Sequence, residues 1–361
     1  MPKAVCAMNP QLLLLELSMK IICVEEHIID QDLARAGQPR RQADAPYLTE
    51  VGSGDSGAME DGDEQRPLPM DIAVTLKLAA EAGAERIAQM DKHGIDMQIL
   101  SCSNPPQDAP PEKALELTRA VNDKLAAMVR ANPTRFAAFA SLPWQTPEAA
   151  VEELERIVKK LGFVGTMLLG RPGNDFLDNP RFEPILAKLD ELRVPVYIHP
   201  GYPLPQVQQP YYGSLKKEVT ARLSLFGWGW HNEAGVQLIR VLLSGAFDRY
   251  PNLQVISGHW GEMVPFYLQR LDDMIPPQIS GLSRTISETF KEHVYVTPSG
   301  MMYLPHFEFV RKVLGEDRIL YSVDYPYLTM AGARRFLETL PTSQWGKDKI
   351  AHTNAGKLFD I

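Results

Sequence analysis

Ile21-Ile22-Cys23-Val24-Glu25-Glu26-His27 is a short apolar run that ends in three ionisable side chains. Its β-branched, apolar character predicts a buried strand, and the strand period of two puts Glu25 and His27 together on the inward face with Glu26 pointing away. Working outward, comparable runs recur at 97–103, 136–143, 164–170, 194–200, 253–259, 294–300 and 319–326. Amphipathic stretches at 79–93, 111–130, 147–161, 233–249 and 305–314 separate them. Strand and helix in alternation are the mark of a parallel sheet built from βα units. Eight such runs predict an α/β fold of the (β/α)8 TIM-barrel type, although an open doubly wound sheet accommodates most of them too.

The chain of 361 residues is 45% apolar and 23% charged, as expected of an ordinary globular protein. With a net charge of −8 and no basic cluster able to neutralise a run of phosphates, no nucleic-acid partner is expected. Three cysteines, Cys6, Cys23 and Cys102, are too few and too unpatterned for a disulfide framework or a CxxC zinc site, which suits a reducing cytoplasm. The apolar run Leu12 to Leu15 is interrupted by Glu16 and is far short of the about 20 residues a membrane span needs. Residues 1–18 are therefore expected as a disordered extension, and 19–361 as one barrel domain.

Two insertions follow strands and so belong to the face where barrel active sites lie. The first, 30–69, carries Gly52-Ser53-Gly54-Asp55-Ser56-Gly57 and an acidic run from Glu60 to Glu64, and is expected to be mobile or a lid. That glycine-rich stretch neither follows a strand nor opens a helix, so it is no nucleotide fingerprint. The second, 202–231, is aromatic. Tyr202, Phe226, Trp228 and Trp230 are its candidate substrate-binding side chains, with burial of a subunit interface as their other reading.

Metal-capable groups fall at the ends of four different strands: Glu25 and His27, His199, His259 and Asp324. Strand ends converge in a barrel, so residues distant in sequence become neighbours there. A lone histidine at a strand end is more often structural, but the coincidence of several is not explained that way. Glu25, His27, His199 and Asp324 are the expected ligands of one divalent ion, zinc or manganese, with no organic cofactor. His259 and Glu262 form a candidate supporting pair, with Glu262 expected on a first helical turn, where it would also favour the helix dipole. Arg270 is read either as a carboxylate binder or as a surface ion pair. His231 is left open.

Val24-Glu25-Glu26-His27, Val196-Tyr197-Ile198-His199-Pro200, Gly227-Trp228-Gly229-Trp230-His231, Gly258-His259-Trp260-Gly261-Glu262, Thr297-Pro298-Ser299-Gly300 and Tyr321-Ser322-Val323-Asp324-Tyr325-Pro326 together resemble the decarboxylase branch of the amidohydrolase superfamily. The resemblance runs from Lys20 to Ile361 and is strongest to decarboxylases of γ-resorcylate, 2,3-dihydroxybenzoate and 5-carboxyvanillate, with aminocarboxymuconate semialdehyde decarboxylase also similar. It implies one metal rather than two, nonoxidative loss of CO2 from a small aromatic carboxylate with an ortho hydroxyl, Asp324 as proton donor to the ring carbon, and a homodimer or homotetramer. Ser299, in the Thr-Pro-Ser-Gly motif, joins the substrate-binding candidates. Trp260 and Pro298 depart from the common pattern of a smaller Met and a second Thr, which bears on pocket shape.

Two other functions use the same residues. A hydrolase would employ the ion and Asp324 to activate water on a lactone, amide or C–C bond. A catalytically silent scaffold is disfavoured by the intact ligand set, since fold alone guarantees no activity.

Overall fold

The structure, a computed structural model, describes residues 19–51, 65–80 and 82–361. The expected N-terminal extension 1–18, Gly52 to Gly57 and the acidic run from Glu60 lie outside the described residues. Seven parallel strands pair in sequence order: β1 (Ile22–Ile28), β2 (Met97–Cys102), β3 (Phe136–Ala140), β4 (Gly165–Leu169), β5 (Val196–His199), β6 (Val255–Ser257) and β7 (Val294–Val296). Residues 319–326, expected as an eighth strand, join the sheet only through isolated bridges, Ile319 to Val296 on one side and Tyr321 to Cys23 and Tyr325 to Glu26 on the other. These bridges close the sheet between β7 and β1. The step from Cys23 to Glu26 faces a longer one from Tyr321 to Tyr325, so the register slips and no regular ladder forms.

Alternate strand residues separate into two apolar clusters. Ile22, Val24, Ile99, Phe139, Met167, Tyr197, Ile256, Tyr295 and Leu320 form the inner one, with Phe359 of the last helix packed edge-on against Phe139. Ile21, Cys23, Leu100, Ala138, Ile198, Val255 and Val296 belong to the larger layer between strands and helices. On strict alternation Ile22 and Val24 facing inward would turn Glu25 and His27 outward. A register shift between Cys23 and Glu26, which pair with Gln98 and Leu100 of β2, adds one residue to β1 and reverses its parity. Glu25 and His27 thereby enter the barrel.

Helices depart from expectation where glycine intervenes. The helix expected at 79–93 begins only at Ala84, after Gly83, and runs to His93, while Ala79 instead ends a separate helix, Ile72–Ala79. Both insertions hold helices among the described residues. The first insertion contains Gln31–Ala36, Gln38–Asp44 and Pro46–Val51, with the Asp30 carboxylate capping the amides of Asp32 and Leu33. The second contains Pro205–Tyr212 and Lys217–Ser224. They lean on one another: Gln208 Nε2 donates to the Asp44 carbonyl at 2.7 Å, and Tyr47 hydrogen-bonds Gln209. No helix among the described residues is long and apolar enough to cross a membrane.

Candidate metal centre

Glu25 and His27 at the end of β1, His199 at the end of β5 and Asp324 in the closing segment each aim one donor atom at a common point, all within 4.8 Å of one another. His27 Nε2 lies 3.1 Å from Asp324 Oδ1, and His199 Nε2 lies 3.5 Å from Glu25 Oε1. Three of these atoms, Glu25 Oε1, His27 Nε2 and Asp324 Oδ1, are buried and have no hydrogen-bond partner. Buried polar atoms are nearly always paired, so such a convergence of lone pairs has the chemistry of a cation site.

The outer atoms of the same side chains are fixed. His199 Nδ1 donates to the Pro200 carbonyl at 2.8 Å, which leaves Nε2 with its lone pair toward the centre. Burial, reinforced by His27 and His259, holds this imidazole well below its ordinary pKa and therefore neutral. His27 Nδ1 lies 3.0 Å from Ser101 Oγ. Glu25 Oε2 accepts from Tyr197 OH at 2.6 Å and from Ser299 Oγ. Gly258 is required beside them, because a Cβ there would stand 2.7 Å from Ser299 Oγ and 2.8 Å from Tyr197 OH. Burial pushes the Glu25 carboxyl up, with nearby Asp324 adding and His259 and His27 opposing.

A second cluster adjoins the first. His259 Nδ1 lies 2.7 Å from Glu262 Oε1, and His231 Nδ1 lies 3.0 Å from Glu262 Oε2. One carboxylate thus bridges two imidazoles whose centroids are 4.3 Å apart. Both oxygens have protonated partners, unlike the orphaned atoms of the first cluster. Burial opposes the charge on His259, but Glu262, with Glu25 and Asp324 adding, outweighs it, and the imidazole is pushed up to about 9. Glu262 does not sit on a first helical turn as expected. His259, Trp260, Gly261, Glu262 and Met263 all have φ between 47° and 84°, a left-handed turn preceding the helix Val264–Met274. Ser299 and Asp324 also have positive φ, 47° and 69°. Left-handed non-glycine backbone costs on the order of 1 kcal/mol per residue and gathers at functional sites.

The candidate substrate-binding side chains are dispersed. Ser299 is buried, with its hydroxyl engaged by Glu25 and by the His259 amide at 2.9 Å. Trp230 Nε1 donates to His231 Nε2 at 3.0 Å, and its ring meets Phe226. Phe226 and Trp228 remain exposed. Tyr202 is half-buried, its hydroxyl pushed up to about 12 by burial and by Asp108. Arg270 lies exposed on the helix Val264–Met274 and is not brought to the cluster. Trp260 points away from the metal cluster, bonding the Met301 carbonyl at 2.8 Å and packing on Phe307. Sequence reasoning missed Tyr197, Ser101 and Tyr327, whose ring lies edge-on to His27 at 5.4 Å, and left His231 unassigned. Only the inward parity of Tyr197 and Ser101 with His199 and Met97 signalled them.

The profile of the amidohydrolase family matches residues 70–361. The chain is 35% identical over 291 residues to a gamma-resorcylate decarboxylase of a Rhizobium species, spanning 76% of this chain and 86% of the relative. Among solved structures, 5-carboxyvanillate decarboxylase from Sphingomonas paucimobilis superposes with a TM-score of 0.82 at 30% identity, covering 95% of this chain and 100% of the other. A dihydroxybenzoic acid decarboxylase from Polaromonas, with bound manganese and the inhibitor 2-nitroresorcinol, superposes with a TM-score of 0.80 at 30% identity over 94% and 97% of the two chains.

Proposed function

Since the chain belongs to the amidohydrolase family, in its decarboxylase branch, we propose that it removes CO2 without oxidation from a small aromatic carboxylate bearing an ortho hydroxyl. The observation that carries this reading is the convergence of four donor atoms, three of them buried and without a hydrogen-bond partner. Glu25, His27, His199 and Asp324 are the ligands of one divalent ion, manganese or zinc. That ion, when bound, supplies a Lewis acid for the phenolic and carboxylate oxygens.

Asp324 is the proton donor. Its side chain, 18% exposed, is the most open of the four, ahead of His199 at 12% and of Glu25 and His27, which are fully buried. A proton passes from its carboxyl to the ring carbon that bears the carboxylate. The bond to that carboxylate then breaks, its electron pair restores the aromatic ring, and CO2 leaves. His259, kept cationic by Glu262, faces the developing negative charge, and His231 holds the second Glu262 oxygen so that the carboxylate cannot swing away. Tyr327, edge-on to His27, and Trp230, bonded to His231, supply aromatic wall beside the two clusters.

A homodimer or homotetramer belongs to the same proposal. Phe266, exposed on the helix Val264–Met274, meets Tyr267 edge-on and Phe309 of the helix Leu304–Leu314 at a tilt, an apolar surface suited to a second copy.

CO2 release across a panel of hydroxybenzoates, with bound manganese or zinc quantified, tests the reading. Turnover of one or two ortho-hydroxylated members is expected, and D324N should abolish it while retaining the fold. Full metal occupancy with no CO2 from any member would overturn it.

A further inference from the structure

Behind β1, on the face turned away from the donor atoms, lies a buried polar chain. Glu26 and Gln98 are fully buried and Arg86, on the helix Ala84–His93, is 2% exposed. Glu26 Oε2 accepts from Gln98 Nε2 at 3.0 Å, and Gln98 Oε1 accepts from Arg86 Nη1 at 3.4 Å. The guanidinium also stacks over the Tyr325 ring at 4.9 Å. Both ends of the chain terminate on backbone. Glu26 Oε1 accepts the Val323 amide at 2.9 Å, and Arg86 Nη2 donates to the His27 carbonyl.

Burial pushes the Glu26 carboxyl up, opposed by the Val323 amide and Arg86, while both of its oxygens accept from N–H donors. A buried acid and base of this kind rarely stabilise a fold more than apolar side chains of the same volume would, so their presence calls for another role. The two backbone groups they hold belong to His27 and to the residue before Asp324. The register slip between β1 and the closing segment lies at this point. Val24 and His27 donate their amides to the carbonyls of Tyr321 and Tyr325, and the Asp324 amide reaches Glu25 O at 3.0 Å. The intervening Val323 amide meets a side chain instead of the ladder. Glu26 therefore stands in for a missing main-chain acceptor next to Asp324, whose backbone is itself left-handed at φ 69°.

We propose that Glu26, Gln98 and Arg86 are positioning residues that set the spacing of His27 and Asp324 from outside the barrel. This rests on the reading of Glu25, His27, His199 and Asp324 as ligands of one ion. The hydrogen-bond polarity of the chain is fixed from both ends, which provides its test. In E26Q the new amide NH2 meets the Gln98 NH2, and flipping Gln98 only moves the clash to Arg86. The exchanged pair E26Q/Q98E satisfies every partner again, with the carboxylate now beside Arg86.

Manganese dissociation constants measured by electron paramagnetic resonance, with thermal melts alongside, distinguish the outcomes. The wild type binds one ion, E26Q binds it more weakly by about tenfold, the effect typical of losing an outer partner, and the exchanged pair returns to near the wild-type value. E26Q binding as tightly as the wild type would overturn the proposal. So would an exchanged pair that folds but stays as weak as E26Q, or one that fails to fold. A wild-type chain that binds no manganese would instead refute the ligand assignment on which the inference rests.

Discussion

Replacing Glu262 with Gln should strip His259 of its charge at neutral pH. In the metal-free chain burial opposes the charged imidazole, but the Glu262 carboxylate 2.7 Å away, with Glu25 and Asp324 behind it, raises its pKa to about 9 from an ordinary 6.5. The difference of roughly 2.5 pH units corresponds to about 3 kcal/mol, at about 1.4 kcal/mol per unit. Because the folded-state value lies above the unfolded one, this stabilisation is complete below about pH 6.5 and is lost as the pH rises through about 9. With Gln at 262 the main attraction is gone and burial dominates, so the midpoint should fall to 6.5 or lower and that decline in stability should vanish. Imidazole NMR resonances of metal-free wild type and E262Q, followed from roughly pH 5 to 10, read the midpoint directly. Urea unfolding at the two ends of the window reads the free energy. An E262Q midpoint within about one unit of the wild-type value would refute the assignment of Glu262 as the group that charges His259.

Gly258→Ala should push Ser299 and Tyr197 off Glu25 and weaken manganese binding by about tenfold, read by titration; unchanged affinity would show that the close approach is not needed. Tyr197→Phe keeps the ring beside Phe139 but removes the donor to Glu25 Oε2 at 2.6 Å, and should weaken the ion by about as much with little change in melting temperature. Manganese at a hundredfold excess over its dissociation constant should stabilise the fold by about 2.7 kcal/mol, and a chelator should reverse the gain; a melting curve indifferent to both would count against the four-ligand centre. Away from the site, Thr285→Ala removes the capping box with Glu288 at the helix Ile286–His293 and should cost about 1 kcal/mol in chemical denaturation, with the manganese affinity untouched.

The linear sequence determined the parallel α/β alternation and the pairing of Glu25 with His27, because strand and helix periods and the spacing of two residues are local properties. It also determined that His199, His259 and Asp324 end strands or strand-like runs, and so would meet if the sheet closed. It put Glu25 and His27 on the inward face, where they are found, but could not show how Ile22 and Val24 come to face inward as well. That depends on the register shift against β2, an event between strands about 75 residues apart. The same slip explains why residues 319–326 carry bridges instead of a strand and why Val323 turns to Glu26. Only the folded chain showed that Ser299 and Tyr197 grip Glu25, that one carboxylate joins His231 to His259, and that Arg270 faces solvent. Each of these is set by the closing of the ring and by left-handed turns at 259–263, 299 and 324, where the backbone leaves the periods that make a sequence legible.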